Sequence, residues 1–250
     1  EQGLGDTIHF LRYAKLIKEL GGYVLLELPP ALVPLTHHTP LGDEIVIFGD
    51  PLPDYDFHAS LMDLPRILGT TLENIPNELP YLLVDTNLQE IWRHRINKFE
   101  GMKIGLNWSG NMASPIEQFR RIPPDDLTPL SDLPGINWFS LQKGDDGTDA
   151  IHLDNKFKLI DTGPAPLSDT AALISEMNLI ITTDTAVAHL AGALNKPVWI
   201  LLHHAPDWRW LTSGDTNPWY PTVRLFRQTH PGNWADVIEK VIRMLKNFKI

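Results

Sequence analysis

The stretch from Leu179 to Leu202 constrains the fold more than any other part of the chain. The apolar run Leu179-Ile180-Ile181 leads through Asp184-Thr185 into the small-residue series Ala186-Val187-Ala188-His189-Leu190-Ala191-Gly192-Ala193-Leu194, and a second apolar run, Pro197-Val198-Trp199-Ile200-Leu201-Leu202, follows. That order reads as strand, tight turn, helix, strand, the unit from which parallel α/β sheets are wound. Small residues in the first turns let a ligand approach the helix backbone closely. The free N–H groups and the positive end of the helix dipole suit a phosphate. Thr185 and His189 share one helix face, so both can point at one ligand. An ordinary packed crossover helix, with Asp184 as a simple N-cap, explains the same residues equally well.

The pattern occurs in two halves. In the first, Thr7 to Leu20 has helical spacing through Ile8, Leu11, Leu16 and Ile17 and ends at Gly21-Gly22. Strands are expected at Tyr23–Leu28 and Glu44–Phe48, with a third signal near Phe57, giving a small doubly wound sheet. A helix over 88–99 and the break Glu100-Gly101 mark the hinge. The second half restarts with a strand at Lys103–Trp108, another at Asn137–Leu141, and a helix from Ser168, read as its N-cap, to Met177. After the Asp184 unit come a Trp-rich loop and a strand at Val223–Phe226. Val237, Val241 and Leu245 give the last segment, Asn233 to Lys246, an apolar stripe. The expected division is 1–99, 100–232 and a closing helix in 233–250.

In open α/β sheets ligands bind beyond the carboxyl ends of the strands. The polar loops Gly3–Asp6, Ser109–Asn111, Gln142–Gly144 and Asp184-Thr185 all fall at such ends, so a cleft between the halves is the expected site. Gly3 and Gly5 open a helix, and Asp6 behind them is either a cap or a general base facing the cleft. Caps are common and bases rare, so the residues alone favour the cap. Lys143 follows a strand directly, and Arg120-Arg121 lie beyond the Ser109 loop. Solvated surface charge is the usual role of such residues, but their position suits phosphate contacts. Trp208 and its aromatic neighbours can wall a nucleotide or sugar pocket or simply pack between domains. His58 is a further cleft-lining candidate, although a structural histidine explains it better. Asp54 and Asp56 do not complete a metal shell. His37-His38 and His203-His204 lack partners at ligand spacing, and no metal site is expected.

Charge and cysteine content narrow the partners. A net charge of -10 argues against nucleic acid or an anionic membrane surface. No run is long enough to span a bilayer, and no secretory signal pattern is present. The chain has no cysteine, which removes disulfides, thiolate nucleophiles and Cys-ligated metals and fits a cytoplasmic location. It opens at Glu1 in the middle of a loop signature, so it is expected to be a piece of a longer polypeptide lacking the strand that feeds this loop.

Taken together, Gly3-Leu4-Gly5-Asp6-Thr7-Ile8, Asp184-Thr185-Ala186-Val187-Ala188-His189-Leu190-Ala191 and Lys196-Pro197-Val198-Trp199 resemble the bacterial heptosyltransferase-like glycosyltransferases, family 9. Ser140-Leu141-Gln142-Lys143-Gly144, Pro206–Trp210 and Pro218–Pro221 resemble the branch often fused downstream of tetratricopeptide repeats. The resemblance implies an α/β fold of GT-B type, two Rossmann-like domains facing across a cleft, with the C-terminal helix crossing back to the first. It implies metal-independent, inverting transfer from a nucleotide-diphosphate sugar to an acceptor glycan or protein, with no cofactor. The family's general base falls on Asp6. Its donor-phosphate motif falls on Asp184, Thr185 and the backbone of Ala186, with His189 one turn on. Ser109, Lys143 and Arg121 complete the expected donor set, with Arg120 as the alternative to Arg121. Gly5, His58 and Trp208 are expected to line the cleft. Ala186 stands where heptosyltransferases proper usually have Gly, which argues against ADP-heptose as donor. A non-catalytic sugar-nucleotide-binding module and a GT-B-like epimerase are the alternatives.

Overall fold

A computed structural model describes residues 3–143, 157–163 and 165–248. Gly144, the last residue of the Ser140–Gly144 motif, lies outside the described residues. The second half is built on six parallel strands, β3 (Met102–Asn107), β4 (Ile136–Ser140), β5 (Leu159–Ile160), β6 (Leu179–Thr183), β7 (Val198–Leu202) and β8 (Val223–Arg227). They lie in the order β5-β4-β3-β6-β7-β8, so the chain winds outward from β3 in one direction and then from β6 in the other. This is the doubly wound Rossmann order, whose switch point falls between β3 and β6.

The pleat sends alternate residues to opposite faces. Leu179, Ile181, Trp199, Leu201 and Phe226 enter one core, and Ile180, Val198, Ile200, Leu202 and Leu225 enter the other. The second of these continues without a break into Ile8, Phe10, Leu11 and Tyr13 of the first half, so one core joins the two halves. The Leu4–Phe10 helix packs on the Ala186–Ala193 helix, and the Thr86–Ile96 helix on Leu167–Ser175.

The first half departs from expectation in three ways. Its described sheet is the two-stranded parallel pair β1 (Leu25–Leu28) and β2 (Glu44–Ile47). The signal near Phe57 forms no strand, and that ring is 94% exposed. The first helical segment is two helices, Leu4–Phe10 and Arg12–Glu19, jointed at Leu11. Between the Thr86–Ile96 helix and β3, Gly101 has φ +93°, which glycine adopts without a Cβ penalty. Ser168 is not a cap, because Pro166 occupies the N-cap position of the Leu167–Ser175 helix.

The closing helix, Ala235–Leu245, is a correction. Its buried residues Val237, Ile238, Val241 and Leu245 join a core whose members all lie beyond residue 100. It covers the outer face of the six-stranded sheet instead of crossing back to the first half. The physical reason is proximity: β8 ends at Arg227, and the short link after it returns the stripe directly onto Trp199, Leu201 and Phe226.

Candidate active site

The switch point is held by residues from three strand ends. Asn107, the last residue of β3, pairs in register with Thr182 on β6. Its Oδ1 accepts from Thr182 Oγ1 at 3.0 Å and from Thr185 Oγ1 at 2.9 Å. Its Nδ2 donates to Gln142 Oε1 at 2.9 Å. That same Gln142 oxygen accepts from the backbone N–H of Ser109 at 3.1 Å, and its Nε2 donates to the Ser109 carbonyl at 3.1 Å. Gln142 therefore fixes the Ser109 loop, and Asn107 ties that loop to the turn before the Ala186–Ala193 helix. The sequence marks Gln142 only as the first residue of a polar loop and gives no signal at Asn107. An Asn ending a strand carries no local signal, because its partners come from other strands.

Thr185 occupies the N-cap position but makes no side-chain cap; its hydroxyl is turned to Asn107, to which it donates. The first N–H groups of the helix, at Ala186 and Val187, thus remain as anion donors. Arg120 and Arg121 sit differently at the end of their helix. Arg120 donates from Nε to Glu117 Oε2 at 2.7 Å, and Glu117, 1% exposed, accepts the Gly110 N–H at 2.6 Å. A Cβ on Gly110 would lie 2.9 Å from Arg120 Nη2 and 3.3 Å from Thr185 Cγ2, so Arg120 borders the switch point. Arg121, the expected donor contact, is the C-cap residue that leaves this short helix. Lys143, another residue of the expected donor set, donates from Nζ to the Gly163 carbonyl at 2.9 Å, and its half-buried position pushes its pKa down.

Asp184 precedes this turn. Burial, chiefly, raises its carboxyl to about 6 against the field of Arg120 and Arg209. His189 stands with Nε2 3.9 Å from Asp184 Oδ1. Its Nδ1 meets Tyr220 Oη at 3.1 Å, and His9 Nδ1 meets the same oxygen at 3.0 Å. Burial, first, and the surrounding arginines keep both rings well below the usual histidine range, so both are neutral. The Tyr220 proton serves only one ring, so at least one of these histidines donates from Nδ1.

The first half closes onto this site. A Cβ on Gly5 would lie 3.0 Å from His189 Cδ2 and 3.4 Å from Ala186 Cα, so glycine is what permits the two helices to approach. Asp6 follows in the first turn. Gly3 holds the N-cap position, so Asp6 does not cap the helix. It pairs instead with Arg209, which also donates to Asp207 Oδ1 at 2.8 Å. Arg12 bolts the halves together a turn later: Nε donates to the His9 carbonyl at 2.8 Å and Nη1 to the Trp219 carbonyl at 2.7 Å. Trp208 is 56% exposed and contacts Phe10 and Trp219, a rim position. His58 is exposed, with its ring 6.3 Å from that of Tyr55. A cavity of about 550 Å³ between β8 and the Ala235–Leu245 helix shares no lining residue with the switch point. Among the described residues no group of three or more His, Cys, Asp or Glu is arranged to hold a metal, and no helix is long and apolar enough to cross a membrane.

This architecture is shared with known proteins. The model of glycosyltransferase family 9 (heptosyltransferase) matches residues 151–210, which include the helix N-terminus described above. Protein FlbA of Caulobacter vibrioides is 28% identical over 274 residues, covering 99% of this chain and 46% of its own length, so the chain spans about half of that relative. Among solved structures, a family 9 glycosyl transferase from Veillonella parvula superposes with a TM-score of 0.74 at 14% identity, over 98% of this chain and 94% of that one. The ADP-heptose lipopolysaccharide heptosyltransferase II of E. coli gives 0.69 at 14% identity, over 99% and 96%. The fold is the GT-B type of these structures.

Proposed function

We propose that this chain is a glycosyltransferase that moves a sugar from a nucleotide-diphosphate sugar to an acceptor hydroxyl, with inversion and without a metal ion. One observation carries the reading: Gly5 of the first half packs against Ala186 and His189 at the N-terminal turns of the Ala186–Ala193 helix of the second, and Asp6 is the next residue in the chain. A carboxylate is thus carried to the boundary beside a helix N-terminus suited to an anion. The acceptor oxygen attacks the anomeric carbon, and its proton passes to Asp6. The bond from that carbon to the diphosphate breaks, and its electron pair leaves with the nucleoside diphosphate. The Ala186 N–H, the helix dipole and Arg120 oppose the charge that grows there.

A non-catalytic sugar-nucleotide-binding module is the second reading, favoured by one fact: Asp6 is already ion-paired. Both readings require a donor at the switch point. Titration calorimetry with a panel of UDP-, GDP-, TDP- and ADP-sugars tests that requirement. At least one member is expected to bind, and Arg120→Gln to weaken it about tenfold through loss of one charge-assisted contact. Lys143→Glu is expected to matter less, because Lys143 is turned to Gly163. No binder in the panel, or equal affinity in Arg120→Gln, would move the donor away from this helix.

A further inference from the structure

The segment around Arg209 is constructed to hold one guanidinium in one place. Arg209 is 6% exposed. Its backbone N–H donates to Asp207 Oδ1 at 3.0 Å, and its carbonyl accepts from Asn217 Nδ2 at 2.7 Å. The guanidinium carbon lies 5.0 Å from the Trp208 ring centre and 5.3 Å from that of Phe10, so rings from both halves flank it. Leu211, directly after this turn, has φ +60° and ψ 176°, a region almost reserved for glycine. Arg227 keeps it there by donating to the carbonyls of Trp210, Leu211, Ser213 and Gly214. A strained backbone, a clamp on it and a buried Arg209 Nε with no partner among the described residues are costs that a simple tie between the halves does not require. Arg12 already supplies such a tie.

We propose that Arg209 is a positioning residue for sugar transfer, reaching from the donor-side half to hold Asp6 so that the base takes up its reactive geometry only when the two halves are closed. The inference rests on the reading of Asp6 as the general base. Arg209 donates to Asp6 Oδ1, and no described residue hydrogen-bonds Oδ2. Oδ2 is therefore the oxygen that takes the acceptor's proton, while Oδ1 is fixed. The ion pair that favours a binding module is, on this account, part of the catalytic apparatus. Its fork needs Arg, because Nη1 must reach Asp207 while Nη2 reaches Asp6.

The test follows release of nucleoside diphosphate from the same panel of UDP-, GDP-, TDP- and ADP-sugars, with water as acceptor. Arg209→Met is expected to lower kcat about a hundredfold, the effect of a misplaced reacting group, while donor KM stays nearly unchanged. Arg209→Lys, which keeps the charge and loses the fork, is expected to recover part of the loss. In an Asp6→Asn background Arg209→Met is expected to add nothing, because residues acting through one another are not additive. A rise in KM at constant kcat, or a full additional loss in the Asp6→Asn background, overturns the proposal. If Arg209→Met does not fold, Arg209→Lys decides by the same split between kcat and KM. Wild-type protein that consumes no donor, or Asp6→Asn that turns over normally, defeats the proposed function itself. Inactive Asp6→Asn beside fully active Arg209→Met defeats only the role of Arg209.

Discussion

Asp6→Asn is expected to melt near the wild-type temperature and bind donor normally, yet to lose about a hundred- to ten-thousand-fold in turnover, the usual worth of a general base. The fold tolerates the change because Gly3, not Asp6, holds the N-cap position. An Asn oxygen still accepts from Arg209, and Asp207 still balances that guanidinium. On the proposed reading the donor contacts lie on the other half, at Ala186 and Arg120. What is lost is the ability to accept a proton. Parallel measurement of melting, donor affinity and nucleoside diphosphate release separates these effects. Turnover close to wild type would remove Asp6 from the mechanism.

The second large effect concerns pH and stability. Asp184 has its folded-state pKa raised to about 6, mainly by burial, whereas an unfolded Asp titrates near 3.9. Because the native state holds this proton more tightly, ionisation of Asp184 opposes folding. The penalty is absent below about pH 4, grows as the pH rises to about 6 and is complete above it, where it reaches on the order of 3 kcal/mol. Asp184→Asn is therefore expected to match wild type near pH 4 and to melt higher at pH 7.5 by roughly 6–12 °C. Equal melting differences at the two pH values would show that Asp184 carries no such penalty. Tolerance of this cost at the threshold of the anion site fits a residue kept for its chemistry.

How far the sequence reveals this arrangement depends on whether a feature is local. The unit around Ala186 is legible because apolar runs and a small-residue helix carry their period within a few residues, and its two flanking strands, β6 and β7, form at the apolar runs. Phe57 misleads because a single aromatic beside polar residues mimics a strand end, and the residue lies exposed. The stripe of the Ala235–Leu245 helix shows that it must be buried but not on what, and the sheet face beside it proves nearer than the first half. Adjacency gives Arg120 and Arg121 the same signal, whereas the pairing of Arg120 with Glu117, itself fixed by the Gly110 N–H, depends on the folded loop. Asn107, Gln142 and Arg209 act through partners far along the chain, as with Arg209 and Asp6, 203 positions apart. No periodicity reports such contacts.

The central claim is that Asp6 of one half and the helix N-terminus of the other form a single active site. A crystal structure with a bound nucleotide-diphosphate sugar tests it most directly. The account predicts a phosphate oxygen about 3 Å from the Ala186 backbone nitrogen, with the anomeric carbon turned toward Asp6. A donor seated elsewhere, such as between β8 and the Ala235–Leu245 helix, with the switch point empty, would contradict it.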